Sequence, residues 1–316
     1  MKVFFKDVLA IARKTAAAWF KADPFRQSAV VAYYAIFSIP PLLVIIIAAA
    51  GLAFGREAVQ GHISKQISSA IGSNTAEQVE EIIRRASERE TSVIATIVSV
   101  VTLVIGATGV FAQLQTSLNQ IWEVKVTAKK MLLKTLRDRL FSFGLIVSIC
   151  FLLLVSLVIT TALEGLGNWI RSNLPDFMLL VFKLLNFIIS FMVISVLFGL
   201  MFKILPDAKV RWRHVTIGSM VTAFLFILGK YGLGVYFGKA EPASIYGTAG
   251  SIVLLMLWVS YSCMIVFFGA EFTRQFAAHY GYKVIPGRGA SLINPEEDKE
   301  LVKEKHEAVK EVETKP

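Results

Sequence analysis

Apolar residues in this chain gather into long blocks instead of alternating positions. Six blocks, at approximately 28–54, 92–119, 140–163, 177–202, 214–237 and 246–275, carry almost no charge. About 20 helical residues cross a hydrocarbon core of roughly 30 Å, so each block predicts a membrane-spanning helix. Within a bilayer the backbone polar groups must be paired inside the segment, which favours helices. A β-barrel would show short alternating segments, and the sequence has no such pattern. The expected fold is therefore all-α: a polytopic membrane protein with six transmembrane helices.

The segments outside the blocks are also patterned. Over residues 3–21, Phe4, Phe5, Val8, Ala12, Ala16, Trp19 and Phe20 recur near helical spacing, with Lys6, Arg13, Lys14 and Lys21 free to face outward. This predicts an N-terminal amphipathic helix, either lying on anionic lipid or packed against the bundle. In 55–91, Ile63, Ile67 and Ile71 mark an apolar stripe, and Asn74 with Glu77 makes a capping box. Glu80–Arg84 and Glu81–Arg85 then form favourable i,i+4 pairs, so an outer-face helical hairpin is expected there, as a lid, a partner surface or a solvated structural element. Asn294-Pro295-Glu296-Glu297-Asp298 carries helix-start chemistry, ahead of a mixed-charge stretch expected to be a solvated helix or disordered. The chain thus divides into a cytoplasmic segment 1–27, a transmembrane domain 28–278 and a cytoplasmic charged tail 279–316.

Composition agrees. Of 316 residues 55% are hydrophobic and 18% charged, and mean hydropathy is +0.62. A soluble domain carries about 25% charged residues and cannot hide this much apolar surface in one core. Disorder is excluded on the same ground. The net charge of +10 could signal nucleic acid, but its distribution says otherwise. Between the blocks, 24 Lys and Arg fall on the side of the termini and 7 on the other. The positive-inside rule then places both termini in the cytoplasm, with anionic head groups as the expected partner of that face and no nucleic acid. The N-terminus has no pattern of a cleavable signal peptide. Cys150 and Cys263 lie in apolar blocks and read as buried thiols.

Candidate chemistry is confined to the blocks. The first contains Ser38-Ile39-Pro40-Pro41. Two prolines remove two backbone donors, which should kink or interrupt the helix. Broken helices at membrane depth often build the substrate site of transporters, and Tyr33 and Tyr34 precede the break by about a turn. An ordinary proline kink is the plainer alternative. The second block ends in a polar face of Gln113, Gln115, Thr116, Ser117, Asn119 and Gln120, with Gly106 and Gly109 above it. Such residues either bond helices together or line a vestibule. Lys183 and Lys230 fall within the fourth and fifth blocks. Intramembrane charge is a functional candidate and would favour an anionic ligand, while snorkelling to the interface is the competing account. Glu271, near the inner end of the last block, is expected to pair with Arg139 or Arg274 in a structural role.

Enzyme chemistry is not indicated. His62, His214, His279 and His306 are scattered without metal-ligand spacing. Nor does the sequence show a phosphate-binding glycine loop or a nucleophile motif. No cofactor or metal is expected.

A set of short stretches carries a resemblance. They are Ala32-Tyr33-Tyr34 through Pro40-Pro41-Leu42, Gly109-Val110-Phe111 through Leu118-Asn119-Gln120-Ile121-Trp122, and Leu205-Pro206-Asp207 with Trp212-Arg213. Gly229-Lys230, Tyr246-Gly247-Thr248-Ala249-Gly250, Leu257-Trp258 and Gly269-Ala270-Glu271 follow. In this order, over about residues 25–278, the chain resembles the YihY/BrkB family of bacterial inner-membrane proteins, once labelled ribonuclease BN. It departs at Val259-Ser260-Tyr261, where the family more often has paired aromatics, and one packing contact is left open there. The resemblance implies six helices, both termini cytoplasmic, and envelope-related or transport roles, including lipid transport. Two functions are thus expected: a transporter or lipid translocator handling an anionic or amphipathic substrate, or a non-transporting scaffold in envelope maintenance. A ribonuclease is disfavoured for lack of an aqueous acid–base or metal constellation. Homo-oligomerisation is left open.

Overall fold

The last long helix among the described residues is the hub of their packing. This computed structural model describes residues 2–54, 60, 61, 64, 93–126, 176–240, 250–287 and 289–293. Its helices are α1 (Lys2–Lys21), α2 (Pro24–Phe54), α3 (Val93–Ile121), α4 (Asp176–Ile204), α5 (Trp212–Ala240) and α6 (Gly250–His279). Helix α6 packs against α1, α2, α3 and α5, while α2 pairs with α3 and α4 with α5. Two helix pairs therefore flank a central helix, and α1 lies on it as well.

Helices α2 to α6 match the first, second, fourth, fifth and sixth apolar blocks. The third block, the expected hairpin beyond its three described residues and the tail from Asn294 lie outside the described residues. Among the described residues, three stretches are long and apolar enough to cross a membrane: Phe187–Ile204, Trp212–Tyr236 and Ile252–His279.

Local chemistry sets the helix ends. Pro24 is fully buried at the first position of α2, where a missing N–H costs nothing. Asp23 before it is left-handed, at φ 53°, and its carboxylate takes the Arg26 guanidinium at 2.7 Å. Helix α6 closes with Gly281 at φ 75°. There Tyr282 N–H donates to Ala277 O at 2.9 Å and Gly281 N–H to Ala278 O at 3.0 Å, a Schellman closure that favours glycine. Within α2 the helix runs uninterrupted through Pro40 and Pro41, which corrects the expectation of a broken segment. A proline φ near −65° is helical, so the loss is of two donors, not of the helical path.

Four short strands depart from an all-helical fold. They are β1 (Val124–Val126), β2 (Ala208–Lys209), β3 (Ile285–Pro286) and β4 (Ala290–Leu292). Strand β1 pairs antiparallel with β4, Val124 opposite Leu292, and β2 with β3, Ala208 opposite Pro286. Residues 280–293 therefore form a strap that returns to the ends of α3 and α4. Strands of two or three residues give no alternation for a sequence pattern to detect. The core lies beside the strap, around fully buried Leu118, Trp122, Phe202, Val210, Val215 and Phe267.

Candidate functional site

Helices α2 and α3 meet along a seam of small and polar residues. On α3, Gly106, Gly109, Gln113, Ser117 and Gln120 stand at i, i+3, i+7, i+11 and i+14, a single stripe at 3.6 residues per turn. On α2, Gln27, Val31, Tyr34, Ser38 and Pro41 repeat the same geometry in the opposite direction. Three contacts fix the register. A Cβ on Gly106 would stand 3.0 Å from Ser38 Cβ, and one on Gly109 would collide with the Tyr34 ring. At the strap end, Gln27 Nε2 donates to Gln120 Oε1 at 3.0 Å. A side chain at 109 would run into the Tyr34 ring, and one at 106 would crowd Ser38 by a few tenths of an ångström.

The seam brings together several of the sequence candidates. Ser38 is buried and donates to Ala35 O at 3.1 Å. Ser117 is fully buried and accepts from Gln113 Nε2 at a long 3.4 Å. Tyr34 is half-buried on Gly109. Tyr33 is 57% exposed at the margin, edge-on to Phe37 at 5.3 Å between centroids. Pro40 and Pro41 lie in the helical path of α2, and Pro41 extends the stripe by position. Lacking N–H groups, they withdraw the helical donors from the carbonyls of Ile36 and Phe37, four residues earlier.

Asn119 points elsewhere. Its Oδ1 accepts the Asp207 backbone N–H at 2.7 Å, and its Nδ2 donates to Asp207 Oδ2 at 2.9 Å. Gln115 Nε2 adds a second bond to Oδ2 at 3.3 Å. Asp207 O in turn accepts from Gly287 N–H at 2.7 Å. One asparagine thus ties α3, the α4–α5 turn and the strap into a single clamp. Tyr282 reinforces it by donating its hydroxyl to Lys209 O. Burial pushes that phenol above its ordinary pKa, and Arg211 opposes the shift, so the hydroxyl is held as a donor.

Beside the clamp, Glu271 is buried and paired. Arg274 Nη2 reaches Glu271 Oε1 at 2.9 Å, and Nη1 reaches Glu123 Oε1 at 2.5 Å. Gln275 Nε2 donates to the same Glu271 oxygen at 2.7 Å. Of the two expected partners, Arg274 is the one in contact, and Arg139 lies outside the described residues. Glu123 itself is left-handed, at φ 54°, where α3 ends.

Lys183 and Lys230 do not join the seam. Both are on the α4–α5 pair, whose turn is marked by Lys203 Nζ 5.6 Å over the Trp212 ring. At 1.5 Å per residue, Lys183 lies ~30 Å along α4 from Lys203 and Lys230 ~27 Å along α5 from Trp212. That is about the thickness of a hydrocarbon core, so both positions fall at the far rim. Lys230 is half-buried there, beside Tyr231, which is 78% exposed.

The opening left at Val259-Ser260-Tyr261 is filled. Ser260 Oγ lies 2.9 Å from Ser28 Oγ, and Tyr261 covers Gly229, where a Cβ would stand 2.5 Å from its hydroxyl oxygen. Cys263 is a buried free thiol.

The family model for virulence factor BrkB matches residues 17–288, from the end of α1 into the strap. The chain belongs to the BrkB family. Its relatives include a UPF0761 membrane protein of Stenotrophomonas maltophilia, 27% identical over 261 residues, covering 80% of this chain and 58% of that one. Another, from Tolumonas auensis, is 29% identical over 204 residues, covering 62% and 63%. The chain therefore spans about three fifths of the length of these curated relatives. No solved structure matches. The BrkB match takes in the seam, the clamp and the Glu271–Arg274 pair together.

Sequence reasoning left two participants, Gln27 and Asp207, out of its candidates. Gln27 closes the seam with Gln120, and Asp207 centres the clamp. The equal spacing of the two stripes on α2 and α3 was the available signal for Gln27. Asp207 had none, because its role depends on a turn meeting a helix end 88 residues away.

Proposed function

We propose that this BrkB-family protein is a translocator of an amphipathic substrate with an anionic head, working in the bacterial cytoplasmic membrane as a six-helix protein with cytoplasmic termini. The observation that carries the proposal is the α2–α3 seam. Membrane helix contacts use small residues and side-chain hydrogen bonds, so what supports a path is the length of the polar line. Here Gln27, Gln113, Ser117, Gln120 and Ser38 lie in one line along the contact. A polar head moving along that line exchanges protein hydrogen bonds for its own, while its tails remain outside against Tyr33 and Phe37, which are 57% and 47% exposed. The basic turn of Lys203, Lys209, Arg211 and Arg213 beside the clamp supports an anionic head.

The test uses purified protein in liposomes and follows the flip of a fluorescent phospholipid to an impermeant reductant. Opening of the seam is required, so a Ser38→Cys, Gly106→Cys disulfide should stop movement at least tenfold, and reduction should restore it. Built Cβ positions 3.0 Å apart need only a small spread to reach the roughly 3.8 Å of a disulfide. Equal rates in the oxidised and reduced protein would refute the path. A wild-type rate no greater than that of empty liposomes, across phospholipids and small anions, would favour the scaffold reading, with the clamped strap end as its rigid face.

A further inference from the structure

Helix α1 has three distinct faces, and only one of them meets the bundle. Ile11, Thr15 and Trp19 form that face, the first two 3% and 0% exposed. Trp19 Nε1 donates to Met264 O at 3.2 Å, and its ring stands edge-on to Phe268 at 5.9 Å. A second stripe, Leu9, Ala12, Ala16 and Phe20, lies about a quarter-turn round the helix. It is apolar yet open, with Leu9 66% and Phe20 63% exposed. Phe25, 57% exposed and 6.0 Å from Trp19, extends it past the Asp23 turn. The third face carries Arg13, Lys14 and Lys21, all exposed, with Ala10 and Ala17 between them.

We infer that α1 docks on the surface of a bilayer containing anionic phospholipid, with its Leu9–Phe20 stripe at the acyl boundary and Arg13, Lys14 and Lys21 on the phosphates. The occupant is lipid because of the order of the faces. An open apolar stripe directly beside a basic one is the pattern of a helix lying in the membrane interface. The remaining face is bonded to α6 at Met264, inside the apolar stretch Ile252–His279, so the Trp19 end of the helix is held at the membrane. The one acid of α1, Asp7, falls by helical position between Lys14 and the face on α6, away from the apolar stripe. Docking and packing are thus simultaneous, and α1 couples the lipid surface to the central helix. This holds whether or not the seam transports.

The test compares full-length protein in nanodiscs of phosphatidylcholine alone and of phosphatidylcholine with phosphatidylglycerol. An environment-sensitive fluorophore on Leu9→Cys, in a Cys150→Ser, Cys263→Ser background, is challenged with aqueous iodide and with lipid-borne nitroxide. Anionic discs should lower iodide quenching severalfold and raise nitroxide quenching. Each basic residue contributes about fivefold to binding at an anionic surface, so an Arg13→Gln, Lys14→Gln, Lys21→Gln variant should lose that difference. Equal iodide access in both discs, or a triple variant that keeps the protection, would overturn the inference. If the cysteine-free background fails to fold, hydrogen exchange over residues 2–21 in the native chain and the triple variant decides by the same comparison.

Discussion

Helices α5 and α6 lock through two glycine–threonine pairs that cross. A Cβ on Gly218 would collide with Thr273 Oγ1, and one on Gly269 with Thr222 Oγ1. Both threonines are fully buried. Each donates to the carbonyl of the glycine one turn back on its own helix: Thr222 to Gly218 O and Thr273 to Gly269 O, both at 2.7 Å. Gly218→Ala or Gly269→Ala must therefore displace a buried threonine, and overpacking of this kind costs about 1–3 kcal/mol. The pairing makes a crossed prediction. Thr273→Ala should return most of the loss in Gly218→Ala and little of that in Gly269→Ala, while Thr222→Ala does the reverse. Coupling in each matched pair should reach about 1 kcal/mol or more, against a few tenths for mismatched pairs. The assay is reversible unfolding in mixed micelles titrated with dodecyl sulfate, with thermal stability by fluorescence-detected size exclusion as a second readout. Rescue that ignores the pairing, or glycine substitutions costing under about 0.5 kcal/mol, would refute the lock; the smaller figure is what an ordinary surface change costs.

Other perturbations test the strap end. Asn119→Ala leaves the Asp207 amide and carboxylate each short of a partner, a loss of about 1–3 kcal/mol, and should speed hydrogen exchange over 285–292 before the rest unfolds. Glu123→Gly removes about 1–2 kcal/mol of left-handed strain at the expense of an exposed ion pair worth up to about 1 kcal/mol. It should therefore be neutral or stabilising by thermal melt, whereas Glu123→Gln keeps the strain and should destabilise slightly. Arg274→Met strands the buried Glu271 carboxylate and should cost about 3–5 kcal/mol. Adding Glu271→Gln should recover most of that, and a double variant as unstable as the single would show the pair is not the reason.

The helices were legible in the sequence because each rests on a long run of apolar residues, and five of the six expected spans coincide with described helices. The polar face of α3 was legible too, since Gln113, Ser117 and Gln120 recur within one helix. What those residues meet was not. Gln27 faces Gln120 only because α2 and α3 run antiparallel in one register, and a single sequence carries no term for register. Asn119 looked like part of the same polar face, yet it turns about an aspartate from the α4–α5 turn. Pro40-Pro41 misled in the other direction, since proline predicts lost donors reliably but a break only when the neighbours do not hold the helical path. The strap went unread because hydrogen bonding to distant ends, not local propensity, makes residues 285–292 into strands.

The hub position of α6 sets the order in which this protein can be built. Its partners α1, α2, α3 and α5 all precede it in the chain. During synthesis the faces of α1, α2, α3 and α5 that belong against α6 are made before it and stay covered by lipid or by the insertion machinery until it arrives. Asn119 and Asp207 can already join α3 to the α4–α5 turn, while the contacts of residues 250–279 and the strap bond from Gly287 form last. The packing around α6 is therefore completed at the end of synthesis, and a nascent chain stalled before it lacks the helix against which four others rest.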